Sequence, residues 1–148
     1  KDCDLLFDPK WHWGYSQTTE SWHGKNYVMV GNCVEFLDPI FSSGVALATS
    51  SAMVAAPVVL KEINGEAPDW DKEYVEPVMW AIDVFKTYVE AWYNGKLQEL
   101  FFTDAKLDPM IKKQVTSVLA GYVWDMKNPF IRRHHDGLDA LSKVLSIK

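Results

Sequence analysis

Hydrophobic and polar positions change period once along the 148 residues, from near-alternation before residue 31 to three- and four-residue spacing after residue 65. Trp11 to Glu20 alternates aromatic with small or polar residues, which predicts a strand with two unlike faces. Gly24-Lys25-Asn26 is turn material. Tyr27 to Val30 is apolar and β-branched and predicts a short buried strand, paired with the first as a hairpin around Gly24. A loop from Asn32 to Ser43 follows. An Ala-rich segment from about Gly44 to Ile63, closed by Asn64-Gly65, predicts a helix. Tyr74, Val78, Ala81, Ile82, Phe85, Tyr88, Val89 and Trp92 then share one face of a helix from about Asp71 to Tyr93. Asn94-Gly95 stops it, and Pro77 marks either its true start or a kink.

Leu97 to Phe102 is a short apolar run of open type. Asp108-Pro109 is an N-cap followed by proline at the first helical position, and the spacing from Ile111 to Tyr122 predicts a helix from Pro109 to about Trp124. Asn128-Pro129 repeats the start signal before a last helix from about Asp136 to Ile147. The expected fold is mainly α, of the α+β kind: a short N-terminal strand pair followed by four or five packed helices. Residues 1–65 and 66–148 are expected to be two parts packed as one unit.

Composition adds to this picture in three places. An apolar share of 48% and an aromatic share of 14% are enough for a real core, rich in Trp. The run Val45 to Leu60, interrupted by Thr49, Ser50, Ser51 and Pro57, reads as a buried core helix too short and too polar for a transmembrane segment. Cys3 and Cys33 are the only cysteines, which predicts no disulfide framework and a reducing, cytoplasmic setting.

A formal charge of −5 without a long basic stripe argues against a nucleic-acid partner. The one basic cluster, Arg132-Arg133-His134-His135, predicts a solvated helix start. Its adjacent histidines are expected to point apart, so no metal ligand set is assigned. The acids from Asp69 to Glu76 fit a helix start at the positive end of the dipole. His12 and His23 read as structural, Ser42-Ser43 has no G-x-S-x-G setting, and no catalytic residue is assigned.

Candidate binding chemistry lies in Tyr27 to Gly44 (YVMVGNCVEFLDPIFSSG). Gly31 lets the chain turn sharply after the strand, Pro39 stiffens the loop, and Ser42-Ser43 supply short donors. Gly44 opens a helix whose free N–H groups favour a negatively polarised ligand. The stretch Gly31 to Ala48 (GNCVEFLDPIFSSGVALA) resembles the second FAD-contacting motif of flavin-dependent halogenases and related geranylgeranyl-reductase-like flavoproteins, whose usual form is similar to VGDAAGFIDPVFSSGVHLA. The resemblance is specific over about Tyr15 to Ala56.

The resemblance implies that these residues form the end of a larger FAD-binding fold and that the later helices form a C-terminal region. It implies cofactor contacts at Gly31, Asn32, Asp38, Pro39, Gly44 and Val45, and a halide site at Ser43 and Gly44 in a true halogenase. Asn32 stands where the family carries aspartate, Glu35 where a small residue is usual, and Phe41 where halogenases of free tryptophan carry glutamate. The implied chemistry of the intact enzyme is halogenation or hydroxylation through hydroperoxyflavin, on a small aromatic or carrier-bound substrate.

Neither G-x-G-x-x-G nor W-x-W-x-I-P with its lysine occurs here, and Trp11-His12-Trp13 reads as structural aromatics. The chain is therefore expected to be a C-terminal fragment, inactive alone, whose first partner is the N-terminal part of the same polypeptide. The alternative from another class is a helical interaction or scaffold domain with a degenerate flavin loop.

Overall fold

The computed structural model of the chain describes residues 7–14, 16–103 and 107–146. Four two-residue strands, β1 (Gln17–Thr18), β2 (His23–Gly24), β3 (Tyr27–Val28) and β4 (Glu35–Phe36), precede six helices. These are α1 (Gly44–Ile63), α2 (Glu76–Tyr93), α3 (Lys96–Phe102), α4 (Pro109–Leu119), α5 (Pro129–Arg132) and α6 (His134–Ser146). The fold is mainly α with a small antiparallel β component, as the periodicity predicted.

The strand pairing differs from expectation. β2 and β3 form the hairpin, in register Gly24↔Tyr27 across Lys25 and Asn26, while β1 pairs with β4 in register Thr18↔Glu35. A 3-10 turn at Gly31–Cys33 reverses the chain after β3 and lays β4 beside β1. There the Thr18 hydroxyl donates to Glu35 Oε2 at 2.8 Å and the Thr19 N–H to the Val34 carbonyl at 3.0 Å. The aromatic alternation upstream is not a strand: Trp11 and Trp13 are exposed and stack on each other, their ring centroids 6.3 Å apart. Tyr27, expected in a buried strand, is also exposed.

Helix α1 has the predicted bounds but not the predicted environment. Leu47, Ser51, Ala55 and Val58 are buried at the i, i+4, i+8, i+11 spacing of one face, whereas Val45, Met53, Leu60 and Ile63 are exposed. It is a half-covered helix, not a core helix. By length and composition alone it is apolar enough to cross a membrane, which corrects the estimate that it is too short and too polar. One face is nonetheless used for packing within this chain.

Pro77 lies in the first turn of α2, directly after a widened turn of helix. Helical structure already begins at Trp70, and residues Asp71–Val75 form a π turn in which the Glu76 N–H bonds to the Asp71 carbonyl. Proline lacks the donor an α-helix needs at that point, and the wider turn absorbs the mismatch. The start is held by reciprocal bonds: the Lys72 N–H donates to Asp69 Oδ1 and the Asp69 N–H to Glu73 Oε1. Glu73 also pairs with Lys61 of α1, and the Trp70 indole N–H donates to Glu62 at 2.8 Å, which ties α1 to the entry of α2. The Lys61 hydrogen bond holds the Glu73 carboxyl below its usual range.

Helix α4 ends at Leu119, short of Trp124, because Gly121 takes a φ of +93°. The Asn128-Pro129 signal opens a separate single turn, α5, with the Asn128 side chain accepting from the Phe130 N–H at 2.9 Å. Arg133, at φ −132° and ψ 51°, interrupts the helix, and α6 begins two residues before the predicted Asp136. That extra turn raises the helix count above the expected four or five.

Two apolar clusters share α2. The smaller joins Trp22, Val34, Leu47 and Val58 to Tyr74, Val78 and Ile82. The larger packs Val84, Phe85 and Tyr88 against α3, α4, α5 and α6 through Leu97, Val115, Ile131 and Leu138. The smaller cluster crosses the boundary expected at Gly65. Tyr74 and Tyr88 place their hydroxyls on the carbonyls of Met29 and Phe130, and burial pushes the Tyr74 phenol up to about 12.

Gly31 is a point of close backbone approach between the turn after β3 and α1. It sits at φ +59°, and a Cβ there would lie 2.9 Å from both Cα and Cβ of Ala48. Gly31→Ala is expected to cost about 2–4 kcal/mol, the sum of left-handed strain and a backbone clash. Gly65→Ala, at φ +83° with open space around it, should cost only about 1–2 kcal/mol in the same urea titration. Equal losses in the two variants would show that the Ala48 contact contributes nothing.

Candidate functional site

The loop from Leu37 to Gly44 is held from below by both clusters. Leu37 packs against each, and Phe41 meets Trp92 of α2 edge-on at a centroid distance of 5.8 Å. Asp38 accepts from its own Ile40 N–H at 3.1 Å and from the Tyr93 hydroxyl at 2.8 Å, and Pro39 opens the 3-10 turn that follows. Gly121 lets α4 end directly against Ala46, where a Cβ would come within 3.0 Å of the alanine methyl. The first turn of α1 is thus fixed by α2 and α4, elements far away in sequence.

Ser42 leaves the turn at φ 54°, the only non-glycine with positive φ among the described residues, and its N–H donates to Pro39 at 2.8 Å. Ser43 is buried and its carbonyl accepts the Leu47 N–H at 2.9 Å, the first bond of α1. The preceding N–H groups of the first turn carry the positive end of the helix dipole. Val45 is exposed beside them, and a Cβ on Gly44 would stand 3.5 Å from Asn32 Oδ1. The Asn32 amide therefore lies next to the helix start, at the surface.

The predicted site residues fall into two groups. Asn32, Ser43, Gly44 and Val45 meet at the start of α1, on the turn after β3 and on the helix itself. Gly31 is buried beneath, its N–H donating to Ser51 Oγ at 2.8 Å, so its lack of a side chain serves the packing of the turn on α1. Asp38 and Pro39 shape the loop, the carboxylate being tied to Tyr93. The start of α1 thus stands beside the neutral Asn32 amide, and its first-turn N–H groups carry partial positive charge.

Glu35 does not intrude on this face. Its side chain is 4% exposed, and its carboxylate pairs with Lys86 of α2 at 3.1 Å while accepting from Thr18. A charge at a position where small residues are usual is here a tie between β4 and α2. The sequence alone gave no sign of Lys86, 51 residues away.

The histidines and Cys33 lie away from this helix start or beside it without joining it. His12 is exposed, and His23 stacks on Trp70 with ring centroids 5.3 Å apart, beside an open groove of about 450 Å³ lined by Tyr27, Val28, Val59 and Ile63. Cys33 is exposed, and Cys3 lies outside the described residues. The Arg132 to His135 cluster is not a simply solvated helix start. His134 is 4% exposed, and both it and His135 face Asp83 of α2, with Nε2 to Oδ2 distances of 3.3 and 3.6 Å. The break at Arg133 lets α6 start across α2, so neighbouring residues expected to diverge converge instead. Burial holds the His134 imidazole below its usual pKa, reinforced by His135 and opposed by Asp83.

No family model matches the chain. It is similar to a 1H-pyrrole-2-carbonyl-[peptidyl-carrier protein] chlorinase of Pseudomonas fluorescens, with 26% identity over 117 residues that make up 76% of this chain and 25% of the chlorinase. It is also similar to a flavin-dependent halogenase of Metacordyceps chlamydosporia, with 34% identity over 69 residues, 47% of this chain and 13% of that protein. A crystal structure of a flavoprotein/dehydrogenase from Cytophaga hutchinsonii superposes with a TM-score of 0.85 at 41% identity, covering 90% of this chain and 33% of that one. The chain spans about a third or less of each of these proteins. The likeness to flavin-dependent halogenases that the loop residues suggested is therefore found in sequence, and the likeness in fold is to a flavoprotein/dehydrogenase.

Lys86→Met, which strands the buried Glu35 carboxylate, is expected to cost about 1–3 kcal/mol, less than a fully buried pair because the lysine is partly exposed. Adding Glu35→Gln should recover part of that loss in a double-mutant cycle followed by urea unfolding. Strict additivity would show the two groups to be uncoupled.

Proposed function

We propose that this chain forms the C-terminal part of an FAD-dependent oxidoreductase of the halogenase-like group, and that its segment from Tyr27 to Val45 completes the flavin site. The observation that carries this reading is the exposed start of α1, with Asn32 beside Gly44, in a chain 41% identical over most of its length to a flavoprotein/dehydrogenase. Bound reduced FAD would supply the electrons that activate oxygen for halogenation or hydroxylation.

The residues here have more limited tasks. The first-turn N–H groups of Gly44 and Val45 stabilise negative charge at the pyrimidine edge of the ring, and the buried Ser43 with Gly44 forms the halide contact if the enzyme is a halogenase. Asn32 offers one acceptor and two donors to a ribityl hydroxyl, where aspartate offers a charge. Asp38 and Pro39 hold the loop alongside. The exposed face of α1, with Val45, Met53 and Leu60, is where the rest of the flavin-binding domain packs. A small aromatic or carrier-bound substrate, no nucleic-acid partner and a reducing cytoplasmic setting complete this reading. The chain by itself is inactive.

A second reading, a helical interaction or scaffold domain with a degenerate flavin loop, is favoured by the neutral Asn32. The two separate by experiment. The full-length polypeptide should bind FAD and show flavin absorbance, whereas this chain alone should bind no tighter than micromolar. A colourless full-length protein would exclude the first reading, and a yellow isolated chain would refute its division of labour. Met53→Glu should change the stability of the isolated chain by less than about 0.5 kcal/mol, as at other exposed positions. In the full-length protein the same change should destabilise the flavin-bound state by several degrees in a thermal melt. A silent Met53→Glu in both would show that this face stays in solvent.

A further inference from the structure

Asp83 on α2 and His134 and His135 at the start of α6 form a cluster distinct from the flavin-facing loop, and one donor atom from each lies within 4.8 Å of the other two. We propose that these three side chains bind a divalent transition-metal ion, with zinc as the best match in ligand type and spacing.

The distances favour a metal over a plain ion pair. A charge-assisted N–H to carboxylate bond closes to about 2.7–2.9 Å. Asp83 Oδ2 instead stands 3.3 Å from His134 Nε2 and 3.6 Å from His135 Nε2. Two ligand atoms each about 2.0–2.1 Å from a tetrahedral zinc are themselves about 3.3–3.4 Å apart. The two histidine–carboxylate separations therefore match those of ligands around a zinc ion.

The hydrogen bonds next to the cluster give the same answer for His134. The Thr87 hydroxyl donates its single proton to the Asp83 carbonyl at 3.0 Å. With its proton so placed the hydroxyl accepts from His134 Nδ1, 2.8 Å away, and the same oxygen lies 3.3 Å from His135 Nδ1. With Nδ1 protonated in the neutral ring, Nε2 carries a lone pair, and this atom stands 3.3 Å from Asp83 Oδ2. Two acceptors opposed at 3.3 Å repel unless a cation sits between them. A ring nitrogen bonded to an oxygen acceptor on the side away from the ligand atom is also the arrangement that orients metal-binding histidines.

His134 is fixed in place, packed edge-on against Trp80 at 5.3 Å and buried. Asp83 and His135 are exposed by half or more, so an ion can enter from solvent and keep water at its remaining position. Two imidazoles and one carboxylate suit zinc, nickel or copper better than calcium or magnesium, which favour all-oxygen sites. The chain carries four histidines, and His12 and His23 are placed elsewhere, which supplies an internal control.

The test is calorimetric titration of the untagged, chelator-treated chain with zinc chloride at pH 7.5, alongside cobalt titration read by visible absorbance. One ion per chain is expected, with absorbance of a four- or five-coordinate cobalt centre. Asp83→Asn and His135→Ala, both at exposed positions, should each weaken binding by ~10-fold or more. His12→Ala with His23→Ala should leave it unchanged. Circular dichroism of each variant confirms that the fold persists, and zinc should raise the melting temperature of the unaltered chain but not of Asp83→Asn. Binding weaker than ~100 µM, or affinity in the Asp83 and His135 variants equal to that of the unaltered chain, overturns the site. So does loss of binding in the His12/His23 variant, which would place the ion elsewhere.

Discussion

The close approach of the turn after β3 to α1 is the constraint on which the rest of this structure depends. Gly31 touches Ala48 where no side chain fits, and its N–H is received by Ser51 on the buried face of the helix. Small residues on α1 are thus selected by what lies against them. That contact fixes the distance and angle at which Asn32 meets Gly44, and hence the shape of the surface at the helix start. The same helix face continues through Ala55 and Val58 into the cluster with Trp22 and Tyr74.

Around this contact the chain is braced by polar ties that join remote segments. Glu35 to Lys86 links β4 to α2, Asp38 to Tyr93 links the loop to the far end of α2, and Lys61 to Glu73 links α1 to the π turn. Helix α2 receives the first two, and the π turn that leads into it receives the third. Pro77 follows the π turn, and from there α2 runs for about five turns beneath the loop and across to α6. The exposed pairs among these ties add little stability individually, but each fixes a direction. The buried Glu35 carboxylate is different, because it must be compensated wherever it is placed.

The faces of α1 and the start of α6 illustrate how burial and exposure divide the molecule's chemistry. The apolar residues Val45, Met53 and Leu60 face outward from α1, so the helix start at Gly44 is continuous with an exposed apolar face. The histidine cluster lies on the other side of α2 from the loop residues' packing, with its own hydrogen-bonding support from Thr87. Two separable pieces of surface chemistry are carried on one helical scaffold.

Local signals in the sequence determined a good part of this protein. Asp108-Pro109 and Asn128-Pro129 each open a helix with the side chain accepting two residues on, since an N-cap and a proline act on their immediate neighbours. The three- and four-residue spacing of α2 and the glycine-loop-helix pattern of residues 31–48 were likewise legible, and the latter carried the likeness to flavoproteins. What the sequence did not contain was the identity of distant partners. It could not pair β1 with β4, bring Lys86 to Glu35, or turn two adjacent histidines onto Asp83, because those depend on how α2 crosses the other elements. It also could not assign α1's second face to the outside, since an alanine-rich helix has nearly the same polarity all round and only packing chooses which side is covered.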